Sequence, residues 1–297
     1  MPCYNPLEGW RSRDGSGKLV FNRNKGFQDL PVTVSCGQCI GCRLERSRQW
    51  ALRCYHESTL HAENCFVTLT YDNENLPSDG SLNKKHFQDF MKRLRASTPL
   101  KIRYFHCGEY GEVNRRPHYH ACLFGYDFPD KQLFKKSGDY YLYTSPLLSK
   151  LWPQGFSTIG ELTFDTAAYT ARYVLKKVTG KNADDHYTVV DPETGEIHEL
   201  QPEYTTMSLK PGIGQGWFEK FNSEVYPSDS VVINGKECNP PRYYDKLLAE
   251  SRPYTADYVR SDRKANGRKH LDNNTPERLA VRKQVATAKT KTFKRDL

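Results

Sequence analysis

The chain lacks the long apolar runs that membrane proteins need. No stretch approaches the roughly eighteen consecutive apolar residues of a spanning helix, and only 37% of the 297 residues are hydrophobic. Residues 1–6 have neither the basic region nor the apolar region of a secretory signal. We therefore predict a protein without membrane segments that stays in a cytoplasm.

The chain also lacks an even set of cysteines. Nine cysteines in a chain of this length argue against a disulfide framework and favour reduced thiols. Cys36, Cys39 and Cys42 form two overlapping C-x2-C steps, and with Cys3 as a fourth ligand they could bind one structural Zn²⁺. Two alternatives stay open: inert thiols buried at a glycine-rich turn, and a redox pair, which the missing thioredoxin-like βαβ pattern disfavours.

Negative charge is scarce at one end of the chain. Residues 260–297 contain twelve Lys or Arg against four Asp or Glu, whereas residues 1–259 contain 32 against 31. Because Lys and Arg displace counterions from phosphates, this C-terminal basic tail predicts binding to nucleic acid. The alternative is a disordered tail that only keeps the protein in solution.

A His-x-His pair on a predicted strand is the most informative feature that is present. Residues 118–125 predict a strand, in which alternate side chains share a face, so His118 and His120 project together. Residues 101–109 predict the preceding strand of a hairpin, which would bring Glu109 beside the histidines. Two imidazoles and a carboxylate are suitable ligands for one divalent cation. The alternative is a pair of surface histidines without a metal.

The order of the predicted elements indicates an α+β fold. In chain order they are strand 66–71, helix 83–97, strand 101–109, strand 118–125, an apolar turn at 147–152, strand 155–162 and helix 165–178. This order is typical of a ferredoxin-like fold, a central antiparallel sheet with flanking helices. In helix 83–97 the apolar face consists of Phe87, Phe90, Met91 and Leu94.

Changes in composition divide the chain into four predicted parts. They are an N-terminal arm with the Cys-rich turn and a helix (1–60), the core (61–180), accessory hairpins packed on the core (181–259) and the basic tail (260–297). Residues 1–35 show no sustained periodicity and predict irregular structure. Turn residues at 191–195 and at Asn234-Gly235 predict the hairpins.

Helix 165–178 carries a second group of reactive side chains. Tyr169, Tyr173 and Lys176 lie within about 60° of one another around the helix. The opposite stripe is apolar and contains Ala167, Ala171, Val174 and Val178. A phenol becomes a nucleophile when something removes its proton or stabilises the phenolate. A neighbouring lysine and a metal-bound phosphate would do both. The alternative is that the tyrosines only cap the edge of the core.

Together these motifs resemble the HUH endonucleases, the nicking enzymes that start rolling-circle replication, in their two-tyrosine form. Residues 66–71 resemble the first motif of that family, 117–123 its metal motif and 169–176 its nucleophile motif. Further segments at 1–4, 36–47 and 207–214 resemble the replication initiators of gokushovirus-type microviruses, which are small single-stranded-DNA phages. One departure is Tyr119, where the family usually has an aliphatic residue, but this side chain should point away from the metal face.

The resemblance implies an HUH nuclease core and a metal-dependent DNA nickase and strand transferase. A tyrosine would attack the scissile phosphate, leaving a 5′-phosphotyrosine and a free 3′-OH as primer. The implied residues are Glu109, His118 and His120 on Mg²⁺ or Mn²⁺, Tyr169 and Tyr173 as nucleophiles, and Lys176 at the phosphate, with Lys177 a weaker candidate. The implied partners are single-stranded origin DNA and the host DNA polymerase, helicase and single-strand-binding protein, in the cytoplasm of the host bacterium.

Two other functions remain open at this point. A non-catalytic basic protein that binds or packages DNA would explain the tail, but not why Glu109 and the histidines should converge. A single-tyrosine HUH transposase or relaxase would leave either Tyr169 or Tyr173 with a structural role only.

Overall fold

The computed structural model describes residues 3–112, 114–138, 140–172, 177–180, 183–190 and 194–291. The chain divides into two compact units, the first formed by Met1–Arg46 with Arg260–Asp296 and the second by Ser47–Val259. Within the described residues, no helix has both the length and the apolar composition needed to cross a bilayer.

Strands and helices are interspersed along the chain. The strands in the described ranges are β1 (Leu7–Ser12), β2 (Leu19–Val20), β3 (Gly26–Val34), β4 (Asn64–Thr70), β5 (Arg103–Tyr110), β6 (Pro117–Phe124), β7 (Gln132–Ser137), β8 (Tyr140–Thr144), β9 (Ser157–Gly160), β10 (Thr188–Val190), β11 (Ile197–Glu199), β12 (Tyr204–Met207), β13 (Val231–Ile233) and β14 (Lys236–Cys238). The α-helices in the same ranges are α1 (Ile40–Ser58), α2 (Lys84–Ala96), α3 (Pro146–Leu151), α4 (Phe164–Arg172), α5 (Ala183–Tyr187), α6 (Gln215–Val225), α7 (Arg242–Ser251), α8 (Pro253–Arg268) and α9 (Pro276–Lys291).

The first unit contains a small antiparallel sheet, so the irregular structure predicted for residues 1–35 is wrong. Its strands lie in the order β2-β1-β3, and Trp10 pairs with both Val20 and Pro31. The pattern is hard to detect because β3 is exposed along most of its length and shows no buried alternate positions. A Cβ at Gly26 would lie 2.3 Å from Cβ of Trp10, so only glycine permits this close approach of the strands.

The second unit is built on a seven-stranded antiparallel sheet in the order β12-β5-β6-β4-β9-β8-β7. At its centre, α2 connects β4 to β5, and β6 lies between these two strands. This is the split β-α-β arrangement of the ferredoxin-like fold, so the predicted fold class is confirmed. The hairpin of β7 and β8 extends the sheet where the sequence predicts only a loop carrying Tyr140, Tyr141 and Tyr143.

One face of this sheet, the core face, packs against α2 and α3. The predicted apolar face of α2 is confirmed, since all four of its large side chains are buried: Phe87, Phe90, Met91 and Leu94. Tyr119 lies on the core face, fully buried, and its hydroxyl donates to the carbonyl of Asn83 at 3.0 Å. As predicted, it points away from the histidines that precede and follow it.

The opposite face, the site face, is covered in part by α1 and α4. Ala51 of α1 and Ala167 and Ala171 of α4 pack against the sheet side chains Phe66, Phe105, Cys122 and Phe124. Helix α4 is shorter than the predicted helix 165–178, because the described residues Lys177 and Val178 are not helical. Val178 was expected in the same stripe as Ala171, but it packs against the core of the other face.

The remainder of the second unit forms its own apolar cluster from α6, α7 and the strands β13 and β14. Tyr244 and Leu248 are its most buried members from α7. The hairpin predicted at Asn234-Gly235 is confirmed: both residues have positive φ values, 50° and 72°, as a two-residue type I′ turn requires.

Candidate active site

The β5-β6 hairpin brings the predicted metal ligands together. In its register Glu109 pairs directly with His118, and Cys107 pairs with His120. Directly paired and alternate residues share a face, so the carboxylate and both imidazoles project from the site face. The connecting loop is closed by a hydrogen bond from the N–H of Gly111 to the carbonyl of Arg116, 2.9 Å long.

The three side chains converge on one point. The distances from Oε1 of Glu109 to Nε2 of His118 and of His120 are 2.7 and 3.0 Å. Glu109 is 1% exposed and His120 is 5% exposed, whereas 19% of the His118 side chain is accessible. Two ring nitrogens that face one carboxylate oxygen need a proton or a cation between them, so the donor set fits a divalent metal with further positions open on the His118 side.

The electrostatics of Glu109 agree with this arrangement. Burial raises the pKa of Glu109, but the hydrogen bonds from His118 and His120 outweigh that effect, and the pKa falls well below its ordinary value. The carboxyl group is therefore ionised at neutral pH. An ionised carboxylate is the form that binds a cation.

Each imidazole is also oriented through its second nitrogen. His118 donates its Nδ1–H to the carbonyl of Arg116 at 3.2 Å, which leaves Nε2 as the nitrogen that can bind metal. Nδ1 of His120 lies 2.9 Å from Oγ1 of Thr68, a contact that fixes the same tautomer when Nε2 binds metal. Sequence reasoning missed the role of Thr68, although its place in strand 66–71 becomes informative once β4 is paired with β6.

Tyr169 of α4 lies beside the histidines. Its ring contacts His120 edge to face, with centroids 5.3 Å apart and the planes at 85°. Phe66 contacts the same ring at 6.4 Å. The phenol is half-buried, and it is the predicted nucleophile that the structure places at the cluster.

The other predicted members of this helix face lie elsewhere or outside the description. Tyr173 and Lys176 fall outside the described residues. Lys177, the weaker candidate, is exposed and lies beyond α4. Their positions relative to Glu109 therefore remain predictions from the sequence.

A cavity of about 300 Å³ adjoins the site. Thr68, His120 and Tyr169 line one side of it, and Leu142 and Thr158 line the side towards β8 and β9. The site is thus open along the sheet, in the direction of the β7-β8 hairpin. Sequence reasoning did not find this cavity, because β7 and β8 were predicted as loop.

The first unit contains a second cluster of potential metal ligands. The thiols of Cys3, Cys36, Cys39 and Cys42 all lie within 4.8 Å of one another. The distance from Sγ of Cys3 is 3.7 Å to Sγ of Cys36 and 3.9 Å to Sγ of Cys39. A tetrahedron with metal–sulfur bonds of about 2.3 Å has edges of about 3.8 Å, so the thiols are spaced for one tetrahedral ion.

Backbone amides favour thiolate at this cluster. The N–H of Tyr4 donates to Sγ of Cys39 at 3.3 Å, and the N–H of Cys36 donates to Sγ of Cys3 at 3.3 Å. Burial raises the pKa of Cys39, but the bond from the N–H of Tyr4, with those from the backbone and side chain of Cys42, lowers it to about 6. Burial and the neighbouring thiols raise the pKa of Cys42 to about 12. All nine cysteines lie in the described ranges, and none of them is in a disulfide.

Comparison with known proteins identifies relatives of this chain. Residues 64–178 match the model of the replication-associated protein ORF2/G2P family. This segment includes β4, the β5-β6 hairpin and α4. The chain is 33% identical over 265 residues to the replication-associated protein VP4 of Bdellovibrio phage phiMH2K, covering 85% of this chain and 79% of that protein.

Two further relatives carry related names. The chain is 34% identical over 298 aligned positions to the replication-associated protein ORF2 of Spiroplasma virus 4, covering 91% of this chain and 88% of that protein. It is 30% identical over 245 residues to the replication-associated protein ORF4 of Chlamydia phage 1, covering 78% of this chain and 58% of that protein. No solved structure matches the chain.

Proposed function

Since the chain belongs to the replication-associated proteins of small single-stranded-DNA phages, we propose that it starts rolling-circle replication by nicking DNA. The reaction is a metal-dependent, site-specific cleavage of one strand followed by strand transfer. The observation that carries this proposal is the convergence of Glu109, His118 and His120 on one point, with the ring of Tyr169 against His120. The coarser role, a part in phage DNA replication, rests on the family alone.

Glu109, His118 and His120 would hold a Mg²⁺ or Mn²⁺ ion. Two imidazoles and one carboxylate leave the remaining positions of an octahedral ion to water and substrate oxygens. When bound, the ion supplies polarisation of the scissile phosphodiester and offsets the charge that develops on its oxygens. The carbonyl of Arg116, bonded to His118, and the hydroxyl of Thr68, bonded to His120, would keep the two imidazoles in their metal-binding tautomers.

Tyr169 is the nucleophile that we propose for one of two transfer steps. Its phenolate oxygen bonds to the phosphorus while the bond from phosphorus to the 3′ oxygen breaks, and that oxygen leaves with a proton as a free 3′-OH. The protein then holds a 5′-phosphotyrosine, and the 3′-OH primes a host polymerase. After one round of synthesis Tyr173 would attack the regenerated junction, with Lys176 at the phosphate, and release a new 3′-OH. That 3′-OH would then attack the phosphotyrosine at Tyr169, which closes the displaced circle and frees the phenol of Tyr169.

In the first unit, we assign Zn²⁺ to the four thiols of Cys3, Cys36, Cys39 and Cys42. Soft thiolates select zinc over magnesium or manganese, and four ligands leave no open position for a substrate. The role of this ion is therefore structural. It connects Cys3, near the start of the chain, to the turn that begins α1.

The function is tested by trapping the covalent intermediate. The full chain is mixed with Mn²⁺ or Mg²⁺ and a labelled single-stranded oligonucleotide from the phage origin, and an adduct that survives SDS is expected. A non-catalytic basic DNA-binding protein, which the basic residues 260–297 would also suit, gives retention of DNA but no adduct. Absence of adduct across all single-stranded segments of the origin would refute the nickase.

Tyrosine variants separate the two-tyrosine mechanism from a single-tyrosine enzyme. Each single change, Tyr169→Phe or Tyr173→Phe, should keep part of the initial cleavage but lose efficient closure of circles on a two-origin substrate. The double variant should form no adduct, because no phenol remains at the phosphate. If one single variant closes circles like the wild type, that tyrosine is structural and the two-tyrosine mechanism is wrong here.

A further inference from the structure

The sheet carries a pair of exposed aromatic rings that the proposed chemistry does not use. Phe134 of β7 and Phe156, just before β9, contact each other with ring centroids 5.3 Å apart. They are 51% and 50% exposed. Single exposed apolar side chains are ordinary, but two phenylalanines that meet on the surface leave a large apolar area in water. Such a pair is a candidate surface for binding another molecule.

The pair lies in line with the metal ligands across the sheet. Glu109 pairs with His118, and His118 pairs with Thr70. The N–H of Thr70 in turn donates to the carbonyl of Phe156 at 2.9 Å. Since the next residue, Ser157, is buried on the core face, the side chain of Phe156 projects from the site face. Two strand spacings, about 10 Å in total, separate Phe156 from His118.

The charge around the pair suits a polyanion. Strands β7 and β8 contain Lys135 and Lys136 and no Asp or Glu. Lys135 pairs with Leu142, whose side chain reaches Gly160 of β9 on the site face, so this ammonium group shares the face of the ring pair. Aromatic rings beside cations are how proteins hold single-stranded nucleic acid, with bases on the rings and phosphates at the cations. An apolar protein partner would instead have to bury the ammonium group.

We propose that Phe134 and Phe156 are a stacking platform for a base of the single-stranded DNA whose scissile phosphate lies at Glu109, His118 and His120. The inference rests on the proposed function and adds positioning residues to the same site. The cavity lined by His120, Tyr169 and Leu142 opens on the same face of the sheet, between the candidate metal ligands and β8. Because every base has a π-face, the platform holds the strand without reading its sequence.

The test measures binding of the full chain to (dT)12 and to an abasic 12-mer with the same phosphates, by fluorescence anisotropy without added divalent metal. The double variant Phe134→Ala/Phe156→Ala should bind (dT)12 about fivefold or more weakly, because loss of one stacked base costs at least that factor. Its affinity for the abasic 12-mer should not change. Lys135→Gln should instead weaken both probes and lower the salt slope by about 0.7, the value for one single-strand phosphate contact.

Two further variants keep the result interpretable. Phe134→Leu/Phe156→Leu retains apolar volume and should lose (dT)12 affinity as the alanine variant does. Leu133→Ala removes a side chain that is 62% exposed on the other face of β7, opposite Tyr143, and should leave both affinities unchanged. Equal loss on both probes, or wild-type binding of (dT)12 by the leucine variant, would overturn the platform.

The outcomes separate this inference from the nickase. If the wild type forms an adduct with origin DNA and the phenylalanine variants bind (dT)12 normally, only the platform is wrong. If the wild type forms no adduct but the variants lose (dT)12 affinity selectively, the nickase is wrong and the rings still bind single-stranded DNA.

Discussion

The two compact units differ in net charge and in the reactive groups that they contain. Lys and Arg outnumber Asp and Glu by 19 to 8 in residues 1–46 and 260–296, a net charge of +11, whereas residues 47–259 contain 25 against 27, a net charge of −2. The nitrogen and oxygen ligands of the proposed catalytic metal lie in the nearly neutral unit. We therefore expect most of the attraction to DNA phosphate to come from the first unit and the proposed cleavage to come from the second, so that each can be removed separately.

The two clusters of potential metal ligands also differ in how complete they are. Glu109, His118 and His120 lie on two paired strands, and one imidazole remains accessible. The four thiols instead connect Cys3 to a turn more than thirty residues later and offer a complete tetrahedral set. An open site is suited to substrate and a complete one to structure, so their loss should have opposite effects on activity and stability.

The largest expected effect on activity is that of removing one ligand from the open site. His120→Ala should lower the rate of adduct formation by more than about 100-fold, since changes even to the groups behind metal ligands cost 10–100-fold. Binding of single-stranded DNA should change little, because phosphate contacts elsewhere supply most of it. His198→Ala, in the β10-β11 hairpin, is the matched control and should retain activity. Equal loss of binding and cleavage would contradict the assignment.

Removing one thiol of the Cys cluster should lower stability and leave activity nearly unchanged. Cys36→Ser should reduce bound zinc from one per chain to near zero and lower the melting temperature by about 5 °C or more, because metal binding contributes folding free energy. Adduct formation per folded molecule should stay close to the wild type. Cys238→Ser, a cysteine outside the cluster, is the control. A zinc-free wild type that is folded and active would rule out the structural zinc.

A smaller effect on activity is expected from Thr68, which contacts one of the ligands of the open site. Thr68→Val keeps the shape of the side chain but removes the hydroxyl that meets Nδ1 of His120. We expect activity at limiting Mn²⁺ to fall about tenfold and to recover at high Mn²⁺, since this contact orients the ligand. Thr158→Val changes the residue that pairs with Thr68 on β9 and should have little effect. A loss that excess metal does not restore would assign Thr68 a role other than orienting His120.

The local sequence pattern was sufficient to predict the centre of the sheet and the β5-β6 hairpin. A side-chain period of two places His118 and His120 together in any strand, and the preceding strand then brings Glu109 opposite. The apolar face of α2 follows equally from its period. These predictions hold because each depends on neighbours within one element or one hairpin.

The features that sequence reasoning missed depend on pairing between distant segments. Thr68 meets His120 only because β4 pairs with β6, and Phe156 meets Phe134 only because β9, β8 and β7 are consecutive in the sheet. The end of α4 was missed for a related reason: Val178 fits the apolar period of the helix, but it packs on the other side of the sheet. Helical period alone cannot show where tertiary packing ends a helix.

The smallest expected effect on catalysis is that of the basic residues in the first unit. Lys264, Arg268, Lys283 and Lys289 are exposed on α8 and α9, so replacing all four by Gln should leave both helices intact. Each cation that contacts a phosphate contributes about 0.9 to the salt slope on duplex DNA, so the slope should fall by up to about 3.6.

Adduct formation on a short saturating oligonucleotide should stay within about twofold of the wild type, because the chemistry lies in the second unit and saturation compensates for lost attraction. The matched control replaces four exposed lysines of the second unit, Lys85, Lys92, Lys150 and Lys246, and removes the same total charge. If the control lowers the duplex slope as much as the first variant, net charge alone steers DNA and the division between the units fails. If the first variant loses adduct formation on the saturating oligonucleotide, its basic side chains take part in the chemistry. That result would also contradict the division of DNA attraction and cleavage between the two units.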